Sequence, residues 1–359
     1  MSDALRLPVE QSAASEIEAL IKNDTGTAPP NWAMSPQAVV TFLVGGTLKD
    51  GTKIKPKYIG PRRMMETAVA TLLTDRALLL MGVPGTAKSW VSEHLAAAIC
   101  GDSQMLIQCT AGTDENQVRY GWNYAQLLAH GPSHEALVPT PLLRAMQTGK
   151  ICRLEELTRM PSDVQDTLIT VLSEKTLPVP ELNTSINATR GFNVIATAND
   201  KDKGVNELSA ALKRRFNLVT LRLPDDMESE VAIVTSRVAD MALSLDLPTP
   251  KNVDQEVRRV VEIFRELRSG KTIDGRQSLK SPSGTLSTAE AIAVVVGGLS
   301  HATHFGGGQL TAESLAMDMV GAIVKDPVQD KEALDNYLHT VLRTRKDAGD
   351  YHAELSALL

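Results

Sequence analysis

The sequence predicts an α/β fold: a parallel-sheet core followed by an all-helical domain, with a short N-terminal appendage. Two observations carry the prediction. Between about residues 64 and 223 short apolar runs alternate with helical patterns, the arrangement of strands joined by crossover helices. After Leu223-Pro224-Asp225-Asp226 the strand signals stop and only helical periodicity remains. A third feature marks a working end of the sheet, because residues 82–89 read Gly-Val-Pro-Gly-Thr-Ala-Lys-Ser between an apolar run and a helical pattern.

In chain order, residues 8–22 read as a short acidic helix and residues 23–30 as a linker rich in turn formers. Residues 35–43 look helical, and Gly45-Gly46 and Lys49-Asp50-Gly51 flank a possible small hairpin. Residues 1–54 are therefore expected to be an appendage and linker, and residues 55–226 the α/β core. In that core residues 64–73 and 90–98 carry apolar side chains at helical spacing. Strands are expected at residues 77–81, 104–109, 150–154, 191–197 and 217–223. The helical domain, residues 227–359, is expected to hold helices at 227–243, 253–268, 288–299 and 315–324. Ser281-Pro282-Ser283-Gly284 and Gly306-Gly307-Gly308 would break it.

At 359 residues the chain suggests two domains, or one core with a sizeable addition. Aromatic residues make up only 4% of it, so aliphatic side chains must do most of the packing. The net charge of −6 offers no general attraction to nucleic acid or an anionic membrane, which argues against DNA as the main partner. Cys100, Cys109 and Cys152 lack a Cys-x-x-Cys spacing and read as reduced core residues. The acidic start carries no basic-then-apolar leader, and no apolar run approaches the roughly twenty residues of a membrane span. A cytoplasmic chain without membrane insertion is the expectation.

The glycine-rich loop points to a nucleotide triphosphate. Backbone N–H groups of such a loop, with the positive end of the following helix, bind phosphates. Gly82, Val83, Pro84, Gly85, Thr86, Ala87, Lys88 and Ser89, with Trp90 opening the helical pattern, form the candidate ATP-binding segment. Lys88 would reach the β- and γ-phosphates and Ser89 the Mg2+ ion. Ala87 stands where a glycine is expected, and a negative φ at the start of the helix would accommodate its β-carbon.

Hydrolysis also needs an acidic residue on the metal and a group that orients water at a neighbouring strand end. Ile151-Cys152-Arg153-Leu154-Glu155-Glu156 supplies both, with Glu155 as metal partner and Glu156 as the group that polarises the attacking water. Two adjacent glutamates can also be a solvated turn. Asn199, closing the run Phe192 to Asn199, is a candidate to hold the same water, or an ordinary turn residue with Asp200. Residues 208–216 look like a helix with Lys213, Arg214 and Arg215 in its last turn. Those cations either complement the helix dipole or reach a neighbouring subunit's γ-phosphate, with Arg215 preferred and Arg214 next.

Taken in order, Gly-Val-Pro-Gly-Thr-Ala-Lys-Ser, Leu-Glu-Glu, Ala-Thr-Ala-Asn and Arg-Arg-Phe resemble the AAA+ ATPases, most closely their MoxR family, over about residues 55 to 300. Alanine before the lysine occurs in that family's loop. The resemblance implies a P-loop AAA+ core with a helical lid that assembles into a ring, a hexamer, using ATP and Mg2+ as a chaperone-like remodeller. It also implies a protein partner bearing a von Willebrand factor A domain, and it makes Tyr58, Ile59 and Gly60 the adenine-side segment. Two other readings remain: an AAA+ motor on DNA, and a nucleotide-gated scaffold that hardly hydrolyses ATP.

Three departures stand out. Glu155 replaces the family's usual Asp, Thr158-Arg159 stands where Asn-Arg is common, and Ser281-Pro282-Ser283 falls where the lid normally offers Ser-Pro-Arg. Trp122 and Tyr124 concentrate aromatic area near the place of that clade's hairpin insertion, either to touch a client or to pack the hairpin. His301 and His304 lie three apart without an accompanying Cys or carboxylate cluster, so no transition metal is assigned.

Overall fold

Apolar runs of three to seven residues build the sheet. In a computed structural model, Ala77–Gly82 (β1), Leu106–Gln108 (β2), Ile151–Glu155 (β3), Asn193–Asn199 (β4) and Phe216–Thr220 (β5) form five parallel strands in the order β5-β1-β4-β3-β2. The structure describes residue 4 and residues 6–199, 206–345 and 349–359, so residues 1–3 and 5 of the acidic start, and Asp200, lie outside the described residues. The chain divides into two units, Met1–Gly82 with Ala87–Leu221, and Val83–Thr86 with Arg222–Leu359.

Both faces of the sheet are covered, as parallel sheets require. Along β1 the side chains alternate: Leu78 and Leu80 enter one apolar cluster, Ala77 and Leu79 the other. On β4, Ile195 joins the first and Val194, Ala196 and Ala198 the second. Asn193 fixes the beginning of β4, because its buried amide donates to the carbonyls of Leu72, Thr74 and Arg76. Cys109 and Cys152 are buried free thiols and Cys100 is half-buried; burial pushes the Cys109 thiol up to about 12.

The N-terminal segment does more than the appendage expected of it. Val9, Leu20, Trp32, Met34, Val39, Phe42 and Leu43 share one cluster with Val91, Leu95 and Ile99 of the helix Lys88–Cys100. That helix is buried at every position from 91 to 99, its outer polar residues included. Glu93 pairs with Arg6, and His94 lies with its ring 4.0 Å from Trp90 and 5.9 Å from Phe42. Short helices such as Val9–Ser12 and Ala14–Asn23 are marginal alone, so their apolar residues are stable only where the helix offers them cover.

Among the described residues three antiparallel strand pairs decorate the first unit. Gly46–Thr47 pairs with Lys53–Ile54 where turn signals placed a hairpin. Tyr120–Trp122 pairs with Leu137–Pro139, and Thr176–Val179 with Thr184–Asn187.

After the loop tip the second unit is built on helices joined by loops, with one isolated antiparallel bridge, Lys271 to Ser278, among its described residues. Met227–Ser244, Val253–Ser269, Thr288–His304 and Ala312–Ile323 match the four expected helices. Gln329–Tyr337, a π-helical turn Leu338–Leu342 and Gly349–Ala357 add a C-terminal layer that the periodicity did not reveal. Two tyrosines fasten that layer to Val253–Ser269: Tyr337 donates to buried Glu266 at 2.5 Å and Tyr351 to buried Glu256 at 2.6 Å. Among the described residues no helix is long and apolar enough to cross a membrane.

Replacing Tyr351 with Phe leaves a buried carboxylate one donor short, at a cost of about 1–3 kcal/mol. Urea unfolding of Tyr351→Phe should show a lower midpoint with an unchanged slope. An unshifted midpoint would show that the Tyr351–Glu256 bond does not hold the C-terminal layer.

Candidate functional site

β1 ends at Gly82 and the helix Lys88–Cys100 begins six residues later, so the loop runs from the carboxyl end of a buried strand to a helix N-terminus. Its flanks, Gly82 and Ala87 onward, belong to the first unit and its tip, Val83–Thr86, to the second. Within the tip Thr86 Oγ1 donates to the Val83 carbonyl at 2.9 Å, and Gly85 takes φ +78°, a conformation that costs glycine little. Lys88 is buried and its Nζ donates to the Gly82 carbonyl at 2.9 Å, which folds the ammonium back along the loop.

Ala87 corrects the expected geometry. It is not the first helical residue with a negative φ but the residue before the helix, at φ 63° and ψ 23° in the left-handed region. The chain must reverse from loop into helix there, and a positive φ achieves it in one residue. For alanine this conformation costs roughly 1–2 kcal/mol.

Glu155 closes β3 and is almost fully buried, at 3% exposure. Its Oε2 accepts from Ser89 Oγ at 2.6 Å and Thr197 Oγ1 at 2.7 Å; its Oε1 accepts from Ser92 Oγ and from Arg153 Nη2 at 2.9 Å. Burial alone would raise the pKa of this carboxyl, yet hydrogen bonds from Ser89 and Ser92, the charge of Arg153 and the Thr197 hydroxyl together bring it below its ordinary value. The extra methylene of Glu over Asp is thus taken up by direct bonds to the helix. Ser92, Arg153 and Thr197 escaped the sequence reading; the one signal was a cation inside an otherwise apolar strand, Ile-Cys-Arg-Leu, two residues before the carboxylate and so on its face.

Glu156 points another way. It has φ 57°, its N–H donates to Thr197 Oγ1 at 3.0 Å, and its carboxylate pairs with Arg159 at 2.5 Å with 37% of the side chain exposed. The Thr158-Arg159 departure therefore has a physical content: the arginine pairs with the glutamate named as water-polarising. Asn199 ends β4 half-buried, directly opposite Gly82 in the parallel register, so a polar side chain flanks the start of the phosphate loop.

The expected helix at 208–216 is shorter, Ala210–Lys213, and Phe216 already begins β5. Arg215 is half-buried, its Nε donating to Ser173 Oγ at 2.8 Å and its Nη1 to the Ala211 carbonyl. Arg214 is exposed, and its side chain has no hydrogen bond or ion pair among the described residues. Tyr58 is buried with its N–H on the Leu43 carbonyl, and the Trp90 indole donates to the Lys57 carbonyl at 2.9 Å, which ties the expected adenine-side segment to the helix after the loop. Ile59 is half-buried and Gly60 exposed; a β-carbon on Gly60 would come within 2.5 Å of the Tyr58 ring hydroxyl.

Elsewhere in the second unit, Ser283 lies in the loop before the helix Thr288–His304 rather than in a helical turn. Its N–H and Oγ donate to buried Asp330 at 2.6 and 3.1 Å. Arg265 and Arg268 of the same unit converge on buried Glu230, with bonds of 2.7 Å each to Oε2. Trp122 is half-buried with its ring edge-on to Tyr120 at 6.0 Å, whereas Tyr124 is exposed.

The donors near the loop suit magnesium. Ser89 contributes a hydroxyl and Glu155 an ionised carboxylate, hard oxygen ligands of the kind that hold Mg2+ together with water and phosphate. When bound there, the ion would neutralise charge on phosphate oxygens.

Residues 77–216 match the AAA domain of the dynein-related subfamily, and residues 228–355 the C-terminal domain of YehL-like AAA+ ATPases. The uncharacterised protein YehL of Escherichia coli strain K12 is 40% identical over 346 residues, which is 96% of this chain and 94% of that protein. The uncharacterised protein SH1500 of Staphylococcus haemolyticus strain JCSC1435 is 26% identical over 193 residues, 53% of this chain and 73% of its own. Among solved structures, NtrX from Brucella abortus in complex with ADP aligns over 84% of this chain and 69% of its own, at 14% identity and a TM-score of 0.48.

The left-handed alanine is open to direct test. Ala87→Gly removes the steric cost while adding some unfolded-state entropy, so the thermal midpoint should hold or rise by about 2–4 °C. Ala87→Val should lower it, because a β-branched residue resists positive φ. A fall for glycine would mean that the loop does not adopt this turn.

Proposed function

Because the chain belongs to the AAA+ ATPases of the YehL type, we propose that it binds Mg-ATP at the loop of residues 82–89 and hydrolyses it to ADP and phosphate. On this reading it works in the cytoplasm as a MoxR-type ring, a hexamer, and remodels a protein partner. The observation that carries the reading is the bond between Ser89 and the ionised, buried Glu155, with Asn199 beside Gly82 on the adjoining strand. These are the metal-side hydroxyl, the acidic residue and the strand-end amide that phosphoryl transfer to water asks for. Lys88 neutralises the phosphates, Glu156 polarises the water once it leaves Arg159, and Arg214 or Arg215 acts on a neighbouring subunit's nucleotide. The resemblance to the MoxR family supports a von Willebrand factor A domain protein as partner, and the charge of −6 weighs against a DNA motor.

A second reading has its own support. The Glu156–Arg159 pair and the engagement of Ser283 by Asp330 leave both groups occupied. That suits a nucleotide-gated scaffold with little turnover.

Steady-state ATPase activity across a protein concentration series separates the two. Specific activity should rise with concentration, vanish in Glu156→Gln with ATP still bound, and be lost together with binding in Lys88→Ala. ATP binding without turnover at any concentration, with and without candidate partner, would leave the scaffold.

The two arginines can be ranked the same way. Arg214, exposed and with no side-chain partner among the described residues, should be the trans-acting group: Arg214→Ala should cut turnover by about 10³-fold or more with nucleotide affinity kept. If only Arg215→Ala does so, Arg215 leaves Ser173 on assembly.

A further inference from the structure

Arg153 lies inside β3, 5% exposed, while its sequence neighbours Cys152 and Leu154 enter an apolar cluster on the opposite face. Its guanidinium spends its donors on the site just described. Nε donates to Ser92 Oγ at 3.1 Å, Nη1 to the Ser103 carbonyl at 2.9 Å, and Nη2 to the Ser89 carbonyl at 3.2 Å and Glu155 Oε1 at 2.9 Å. Ser92, fully buried one helical turn after Ser89, gives its own hydroxyl hydrogen to the same Oε1. The two oxygens of Glu155 are thereby sorted, one facing Arg153 and Ser92, the other facing Ser89 and Thr197.

We propose that Arg153 is a positioning residue that, with Ser92, clamps one oxygen of Glu155 so that the other is presented to Ser89 and the magnesium ion. The proposal rests on the Mg-nucleotide reading above. Its physical basis is the length of the side chain. The terminal torsion of a glutamate is broad and nearly two-fold, so a Glu in place of the shorter Asp orients its carboxylate only if its partners impose the orientation. A forked, planar cation that reaches the carboxylate, the Ser92 hydroxyl and the Ser89 carbonyl together does so; a lysine, a point charge on a flexible stem, does not. Charge compensation calls for a buried cation beside Glu155, since removing one partner of a buried pair strands the other, but it does not by itself call for a guanidinium. What the arginine adds is direction.

The test uses the full chain and reads ADP affinity by calorimetry with excess Mg2+ and with EDTA. A general loosening of the site would weaken ADP in both conditions, whereas a misdirected carboxylate weakens only the gain that Mg2+ brings. Arg153→Lys and Arg153→Met should bind ADP in EDTA like the wild type and lose about tenfold or more of the Mg2+ gain, as loss of groups that orient metal ligands does elsewhere. Ser92→Ala should lose part of it. An unchanged Mg2+ gain in folded Arg153→Met overturns the proposal; if that variant does not fold, an unchanged gain in Ser92→Ala overturns it instead. Failure of the wild type to bind ADP in either condition overturns the nucleotide reading and the proposal with it, and the two failures are therefore distinct.

Discussion

A single buried carboxylate sets the terms for the first unit. Taking an ionised glutamate out of water costs several kcal/mol unless donors replace its hydration. Glu155 receives four, from three elements: Ser89 and Ser92 on the helix after the loop, Arg153 on its own strand and Thr197 on β4. Sliding β3 against β4 by one residue would turn Glu155, and Arg153 with it, to the opposite face and leave Ser89, Ser92 and Thr197 without the carboxylate. Satisfying this one group therefore fixes strand register and helix approach together, and the phosphate loop, strung between β1 and that helix, inherits its frame.

The second unit solves its packing by related means. Glu230, Glu256, Glu266 and Asp330 are all buried there. Glu230 takes Arg265, Arg268 and Thr288; burial alone would push its pKa up, and these donors hold it below the ordinary range. Glu266 takes Tyr337, Arg345 and the Ile273 N–H, and Asp330 takes the N–H groups of Ser283, Lys325 and Asp326. With only five tyrosines in 359 residues, two of them serve as hydroxyl donors to buried acids, so aromatic area is joined to directed polar bonds rather than spent on packing alone. Each such acid ties segments distant in the chain, and removal of one partner would strand a charge.

These fastenings explain what the sequence disclosed and what it hid. The five sheet strands are runs of aliphatic residues between turn formers, a pattern set by burial on both faces, and they were legible to within a few residues. Residues 329–337, Gln-Asp-Lys-Glu-Ala-Leu-Asp-Asn-Tyr, carry little apolar periodicity because Asp330 and Tyr337 face inward through hydrogen bonds. Strands such as Thr184–Asn187, with Ser185 and Asn187 exposed on alternate positions, lack the apolar run that announces a strand. The loop, both glutamates and Asn199 were legible as types in order; Ser92, Arg153 and Thr197 were not, because a serine or threonine in a buried element carries no pattern until its partner is placed.

Backbone strain gives an independent pointer to the same place. Among the described residues six other than glycine have positive φ, and three of them, Asn31, Asn183 and Asp246, are of the types that tolerate it. Of the remaining three, Ala87 and Glu156 flank the two halves of the candidate site, at φ 63° and 57°. Such residues persist only where the surroundings over-determine them. At Ala87 the determinants are the end of β1 and Lys88, anchored on Gly82; at Glu156 they are Thr197, which accepts its N–H, and Glu155 immediately before it, held by four donors. The side-chain network that fixes Glu155 is also what can bear the strain at Glu156. The main chain at Glu156 is thus held by its N–H bond to Thr197 and by its neighbour Glu155, separately from the pair that its carboxylate makes with Arg159.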